Sequence, residues 1–126
     1  MDKKIAVIGA GGKMGKWVSD YLSKRKYDVI GYDIDNPTPK SVTQGKSLIS
    51  SILHVDCVIL ATPTKKTPEI IRLIAKEMKR GATLVDISSQ KSKTSVSLGK
   101  IPNKITPICI HPMFGPGVKN IKNRNI

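Results

Sequence analysis

Two clusters in this sequence combine residue types that do chemistry with residues that fix a backbone. The first is Gly9-Ala10-Gly11-Gly12-Lys13-Met14-Gly15, placed directly after a short apolar run. Glycines between a strand and a helix let backbone N–H groups approach a pyrophosphate at the helix N-terminus. The strict G-x-G-x-x-G spacing is missed by one in either register. From Gly9 the last position is Met14; from Ala10 the first is alanine, with Gly12 and Gly15 following. The second register sets Gly15 where the helix packs on the strand and is preferred, with Gly9 and Gly11 adding slack. An ordinary glycine turn is the plainer alternative, but the flanking strand, helix and acidic residue favour a dinucleotide.

That acidic residue is Asp33, about 20 residues past the glycines, where a carboxylate accepts hydrogen bonds from an adenosine ribose. It would repel a 2′-phosphate, and no Arg or Lys follows among Ile34, Asp35 and Asn36. NAD is therefore expected, with NADP as the alternative. The second cluster is His111-Pro112-Met113-Phe114-Gly115-Pro116-Gly117. An imidazole titrates near neutrality and suits proton abstraction. A lone histidine at a strand end is more often structural; here two prolines and two glycines fix its backbone direction.

These clusters must be held by an alternating framework. Apolar runs at residues 4–9, 27–33, 57–61, 82–87 and 105–110 read as five strands buried on both faces. Pro107 interrupts the fifth and argues for a sheet edge or a late entry into the sheet. Between them, Met14, Trp17, Val18, Tyr21 and Leu22 recur as one face of a helix, and a short helix starts at Ser47. A third helix has Thr67 as N-cap, Pro68 in its first turn, a core face of Ile70, Ile71, Ile74 and Met78, and Gly81 at its end. Residues 88–98 read as a polar loop. The alternation predicts an α/β, doubly wound parallel sheet of Rossmann type, whose ligands bind beyond the carboxyl ends of the strands. Both clusters, Asp33, residues 61–64 and residues 88–91 fall on that edge.

Length and composition narrow the function classes. The chain has 126 residues, which fits one domain, residues 1–126. A hydrophobic fraction of 39% and a charged fraction of 25% are those of a folded protein. No apolar run approaches the roughly 18 residues of a membrane span, and a secretory signal is not expected. Cys57 and Cys109 lack CxxC spacing, so neither a metal site nor a disulfide scaffold is indicated, and a reduced, cytoplasmic setting is expected. The net charge is +13, yet the lysines are scattered and the aromatics, at 4%, are not interleaved with them. A basic surface that attracts anionic ligands is expected, with nucleic acid the minority reading.

In chain order, the cluster from Gly9 to Gly15, then Asp86-Ile87-Ser88-Ser89-Gln90-Lys91, then His111-Pro112-Met113-Phe114-Gly115-Pro116 resembles the nucleotide-binding domain of prephenate dehydrogenases. The likeness runs from the first strand to the last residue, and the histidine run is its most specific part. It implies NAD(P)-dependent oxidation of prephenate, with loss of carbon dioxide, to 4-hydroxyphenylpyruvate in tyrosine biosynthesis; some members take arogenate. By resemblance, His111 matches the histidine that draws the ring 4-hydroxyl proton, and Ser89 the serine that orients that group and the nicotinamide. Thr62 and Pro63, following Ala61, match the loop packed along the cofactor. Removing the alcohol proton raises electron density at the carbinol carbon and eases hydride departure, and aromatisation drives decarboxylation. Ser89 is equally readable as a helix N-cap; Lys91 could meet a substrate carboxylate but reads better as a solvated lysine, and His54, at the end of a short helix, reads as structural.

Family members continue into a further strand and a helical domain that makes a homodimer and supplies an arginine for the substrate carboxylate. This sequence stops where that strand would start, so the expected object is the cofactor-binding half, missing its last strands and helical domain and turning over poorly alone. Two other classes compete: a stand-alone NAD-binding, redox-sensing module, and a Rossmann oxidoreductase of the β-hydroxyacid or imine reductase type.

Overall fold

In the computed structural model, strand β1 (Lys4–Ile8) carries core residues on both of its faces. Ile5 and Val7 point one way and Ala6 and Ile8 the other, all buried. This two-sided burial is what a wholly apolar strand requires. The structure describes residues 3–63, 65–87, 102 and 104–109. Ser89, Lys91 and the whole run from His111 to Gly117 lie outside the described residues.

After β1 come α1 (Lys13–Lys24), β2 (Asp28–Tyr32), β3 (Thr43–Gln44), α2 (Leu48–Ile52), β4 (Cys57–Leu60), α3 (Thr67–Ala75), β5 (Thr83–Asp86) and β6 (Thr106–Cys109). The strands form one sheet in the order β3-β2-β1-β4-β5-β6, and every pairing is parallel. One face packs Ile5, Val7, Ala10 and Val29 against Val18 and Leu22 of α1. The other packs Ala6, Ile8, Val58, Leu60 and Leu84 against Ile52 of α2 and Ile71 and Ile74 of α3. The sheet is thus doubly wound, and the chain changes direction between β1 and β4, where such folds leave a crevice. None of the described helices is long and apolar enough to cross a membrane.

Ser47 starts α2 as expected, through a capping box: the Ser50 amide donates to its hydroxyl while its own amide donates to Ser50 Oγ. Pro107 sits in β6, the outermost described strand on its side. Four details depart from the sequence reading. A sixth strand exists, because two exposed residues of β3 pair with Ile30 and Gly31, and two polar residues carry no readable period. Thr67 is not the N-cap of α3; Lys66 holds that position. The amides of Lys66 and Thr67 both donate to the Pro63 carbonyl, so a turn precedes the helix and carries Thr67 inward. Its buried hydroxyl bonds the Pro63 oxygen at 3.1 Å and Thr62 Oγ1 at 2.7 Å, tying the loop after β4 to α3. At its other end α3 stops at Ala75, so Met78, though buried, and Gly81 lie in the turn beyond it.

The inner face of α1 is Gly15, Val18, Ser19 and Leu22, not the stripe that included Trp17 and Tyr21. Those two rings stack along the flank of the helix with centroids 5.2 Å apart, and the Arg25 guanidinium covers Tyr21. A helix lying this close to a sheet admits only small side chains at its point of contact. Ser19 Oγ, buried there, has no hydrogen-bond partner among the described residues.

At the amino edge, Asp56 accepts from Lys79 Nζ and from the Lys4 amide, which in that order hold its carboxyl below the ordinary carboxylate value. Next to it, burial pushes the Cys57 thiol up to about 11. At pH 8 only about one such thiol in a thousand is thiolate. Iodoacetamide at pH 8 is therefore expected to leave Cys57 unmodified in the folded chain and to label it in urea. Rapid labelling of the native Cys57 peptide, read by mass spectrometry, would contradict this assignment of a half-buried, inert thiol.

Candidate functional site

The site is built where β1 ends. Gly9 takes φ +87°, and a Cβ there would stand 2.5 Å from the Ala61 carbonyl oxygen. The amides of Gly9 and Ala10 both donate to the Tyr32 oxygen, at 2.8 and 3.1 Å, which fastens the loop to the end of β2. The Gly12 amide then bonds the Gly9 oxygen and closes the turn, and α1 begins at Lys13. Gly12 is the N-cap, no side chain caps it, and no acidic residue stands in the first turn. The amides of Lys13, Met14 and Gly15 have no intrahelical acceptor and form the positive end of a 12-residue helix. An anion is what such an end binds.

Each glycine has a separate reason. Gly9 supplies the tight turn through its positive φ, so its expected role as slack is corrected. Gly11 is not slack either: a Cβ would lie 2.6 Å from Asn36 Cβ. At Gly15 an added Cβ would meet the Gly9 oxygen at 1.9 Å, which is the close helix–strand contact the second register calls for. Only Gly12 is open, its nearest neighbour being 3.6 Å away.

Asp33 joins two loops. Its Oδ2 accepts from the Gly11 amide at 2.9 Å, and its Oδ1 accepts from the amides of Asp35 and Asn36, each at 2.9 Å. An ionised carboxylate has about four acceptor positions, so capacity is left for a further donor such as a hydroxyl.

Beyond the strand ends lies a cleft of about 690 Å³. Of the residues expected to hold a cofactor, Gly9, Gly12, Asp33, Ala61, Thr62 and Pro63 line it. Ala10, Gly11 and Gly15 are buried behind it, while Lys13 is exposed and Met14 half-buried at the start of α1. The structure adds residues that sequence reasoning missed. Ile34 and Leu73, 76% and 46% exposed, give the cleft apolar walls. Their only advance signal is negative, since both are apolar side chains off any buried stripe. Charged groups also line it: Asp33, Asp35 and Glu69, with Lys66 Nζ 3.9 Å from Asp35 Oδ2. Asp86, at the end of β5, is fully buried. Among the described residues no cluster of His, Cys, Asp or Glu could hold a metal ion.

Residues 21–124 match the family described as prephenate dehydrogenase, nucleotide-binding domain. A probable arogenate/prephenate dehydrogenase of Methanocaldococcus jannaschii is 30% identical over 124 residues, 93% of this chain and 28% of that protein. Arogenate dehydrogenase 1, chloroplastic, of Arabidopsis thaliana is 27% identical over 90% of this chain and 19% of its own length. The chain therefore spans less than a third of either relative. Among solved structures, a semialdehyde dehydrogenase NAD-binding protein from Cupriavidus necator, in complex with calcium and NAD, superposes with a TM-score of 0.71 at 26% identity, over 90% of this chain and 42% of that one. An imine reductase from Myxococcus stipitatus in complex with NAD+ gives 0.76 at 16% identity, over 92% and 43%, a likeness of fold.

Proposed function

Because this chain belongs to the family of prephenate dehydrogenase nucleotide-binding domains, we propose that it is one dinucleotide-binding domain, residues 1–126, of an oxidoreductase acting on prephenate or arogenate. The observation that carries the reading is one cleft containing the uncapped start of α1, the open Gly12 and the Asp33 carboxylate. These residues fit NAD. The amides at the start of α1 would hold its pyrophosphate, Asp33 would accept from a ribose hydroxyl, and Ile34 and Leu73 would flank its base. When bound, NAD supplies a two-electron acceptor for hydride.

In this reading Ser89 and His111 complete the reaction. By sequence Ser89 comes three residues after the end of β5 at Asp86 and His111 two residues after the end of β6 at Cys109. His111 draws the 4-hydroxyl proton, and Ser89 orients that group. The carbinol carbon, made electron-rich, releases hydride. The ring then gains aromaticity as the carboxylate departs as carbon dioxide.

Fluorescence titration with NADH tests the first step, Trp17 being the only tryptophan and two residues past Gly15. Saturable quenching, tighter with NADH than with NADPH, is the expected result. No saturable change in a chain shown by circular dichroism to be folded would remove the dinucleotide reading.

A further inference from the structure

Resting on that NAD reading, we propose that Asp35 is a positioning residue for cofactor choice: it competes with a cofactor 2′-phosphate for the Lys66 ammonium and so disfavours NADP. The sequence offers no cation just after β2, but the fold brings one from the opposite wall. Lys66, the cap residue of α3, is the one cation among the described residues that line the cleft. Its ammonium is 3.9 Å from Asp35 Oδ2. Asp35 in turn is joined to Asp33, its amide donating to Asp33 Oδ1 at 2.9 Å. A 2′-phosphate is carried on the ribose that Asp33 would bind, so it would stand beside this pair.

Charge then decides the outcome. A phosphate monoester carries about −1.5 to −2 near neutrality. The described lining offers it three carboxylates, Asp33, Asp35 and Glu69, and a single ammonium that already lies 3.9 Å from one of them. The side chains of Lys66 and Asp35 are 60% and 70% exposed, so packing holds neither in place. Exposed pairs of this kind are weak, and removing the carboxylate frees the ammonium to turn to another anion.

The test is the ratio of NADPH to NADH dissociation constants in low salt, read from Trp17 fluorescence, for the unaltered chain, Asp35→Asn, Lys66→Gln and the double variant. Both sites are exposed, so all four proteins are expected to fold, which circular dichroism checks. Asp35→Asn should lower the ratio about threefold. In the Lys66→Gln background the same change should lower it far less, and the gain should shrink in about 0.5 M salt. An unchanged ratio in Asp35→Asn, or an equal gain without Lys66, overturns the proposal while saturable NADH binding leaves the NAD reading standing. Failure of the unaltered chain to bind either nucleotide overturns both.

Discussion

Replacing Gly15 by alanine is expected to lower the melting midpoint by about 10 °C and to abolish NADH binding. The added Cβ would stand 1.9 Å from the Gly9 oxygen, 2.7 Å from its carbonyl carbon and 2.9 Å from Ala10 Cα. All three atoms are backbone, and the Gly9 oxygen already accepts from the Gly12 amide, so none can move without opening the turn. Relief requires α1 to lift from the sheet, and that uncovers the contact of Val18 and Leu22 with Ile5, Val7 and Val29. Overpacking of this severity costs about 3 kcal/mol, which a domain of this size registers as roughly 10 °C. Gly12→Ala is the control. Its Cβ would have 3.6 Å of clearance, so the fold should survive while a methyl group stands in the cleft. If Gly15→Ala melts within a degree or two of the unaltered chain, the close helix–strand contact is not what the glycine provides.

Asp33→Asn is expected to weaken NADH binding about 30-fold, equivalent to about 2 kcal/mol. The carboxylate accepts from three backbone amides at once. An asparagine keeps one acceptor oxygen and turns an NH2 group toward an amide donor, so at least one side of the bridge is lost. The glycine turn and the Asp35–Asn36 segment then lose their common anchor, and the site loses the acceptor assigned to the ribose. Hydrogen exchange separates this from a purely ligand-facing role, because the amides of Gly11, Asp35 and Asn36 should exchange faster in the variant without cofactor present. Binding within threefold of the unaltered chain, with unchanged exchange at those amides, would show that Asp33 holds neither the loops nor the cofactor.

Much of the framework was legible because parallel strands covered on both faces must be apolar throughout. Residues 4–8, 57–60 and 83–86 therefore stand out without any partner in view. The Ser47 cap was legible for a related reason: a capping box is closed within four residues. The Gly9 to Gly15 turn and Asp33 were recognisable by type and spacing, and they meet in one bond, from the Gly11 amide to Asp33.

What the tertiary structure alone decided depends on distances between elements. Strand β3 exists only because Ile30 and Gly31 present an open edge to two polar residues. Trp17 and Tyr21 leave the inner face of α1 because Gly15 brings the helix too near the sheet for them. Thr67 becomes a buried bolt because the chain turns at Pro63 before the helix starts. Lys66 reaches Asp35 across a cleft whose walls belong to different crossovers. Periodicity along a chain records how one element meets its immediate surroundings. Which loops face each other, and whether a glycine is slack or a point of contact, is set by strand order and by how closely each helix lies on the sheet.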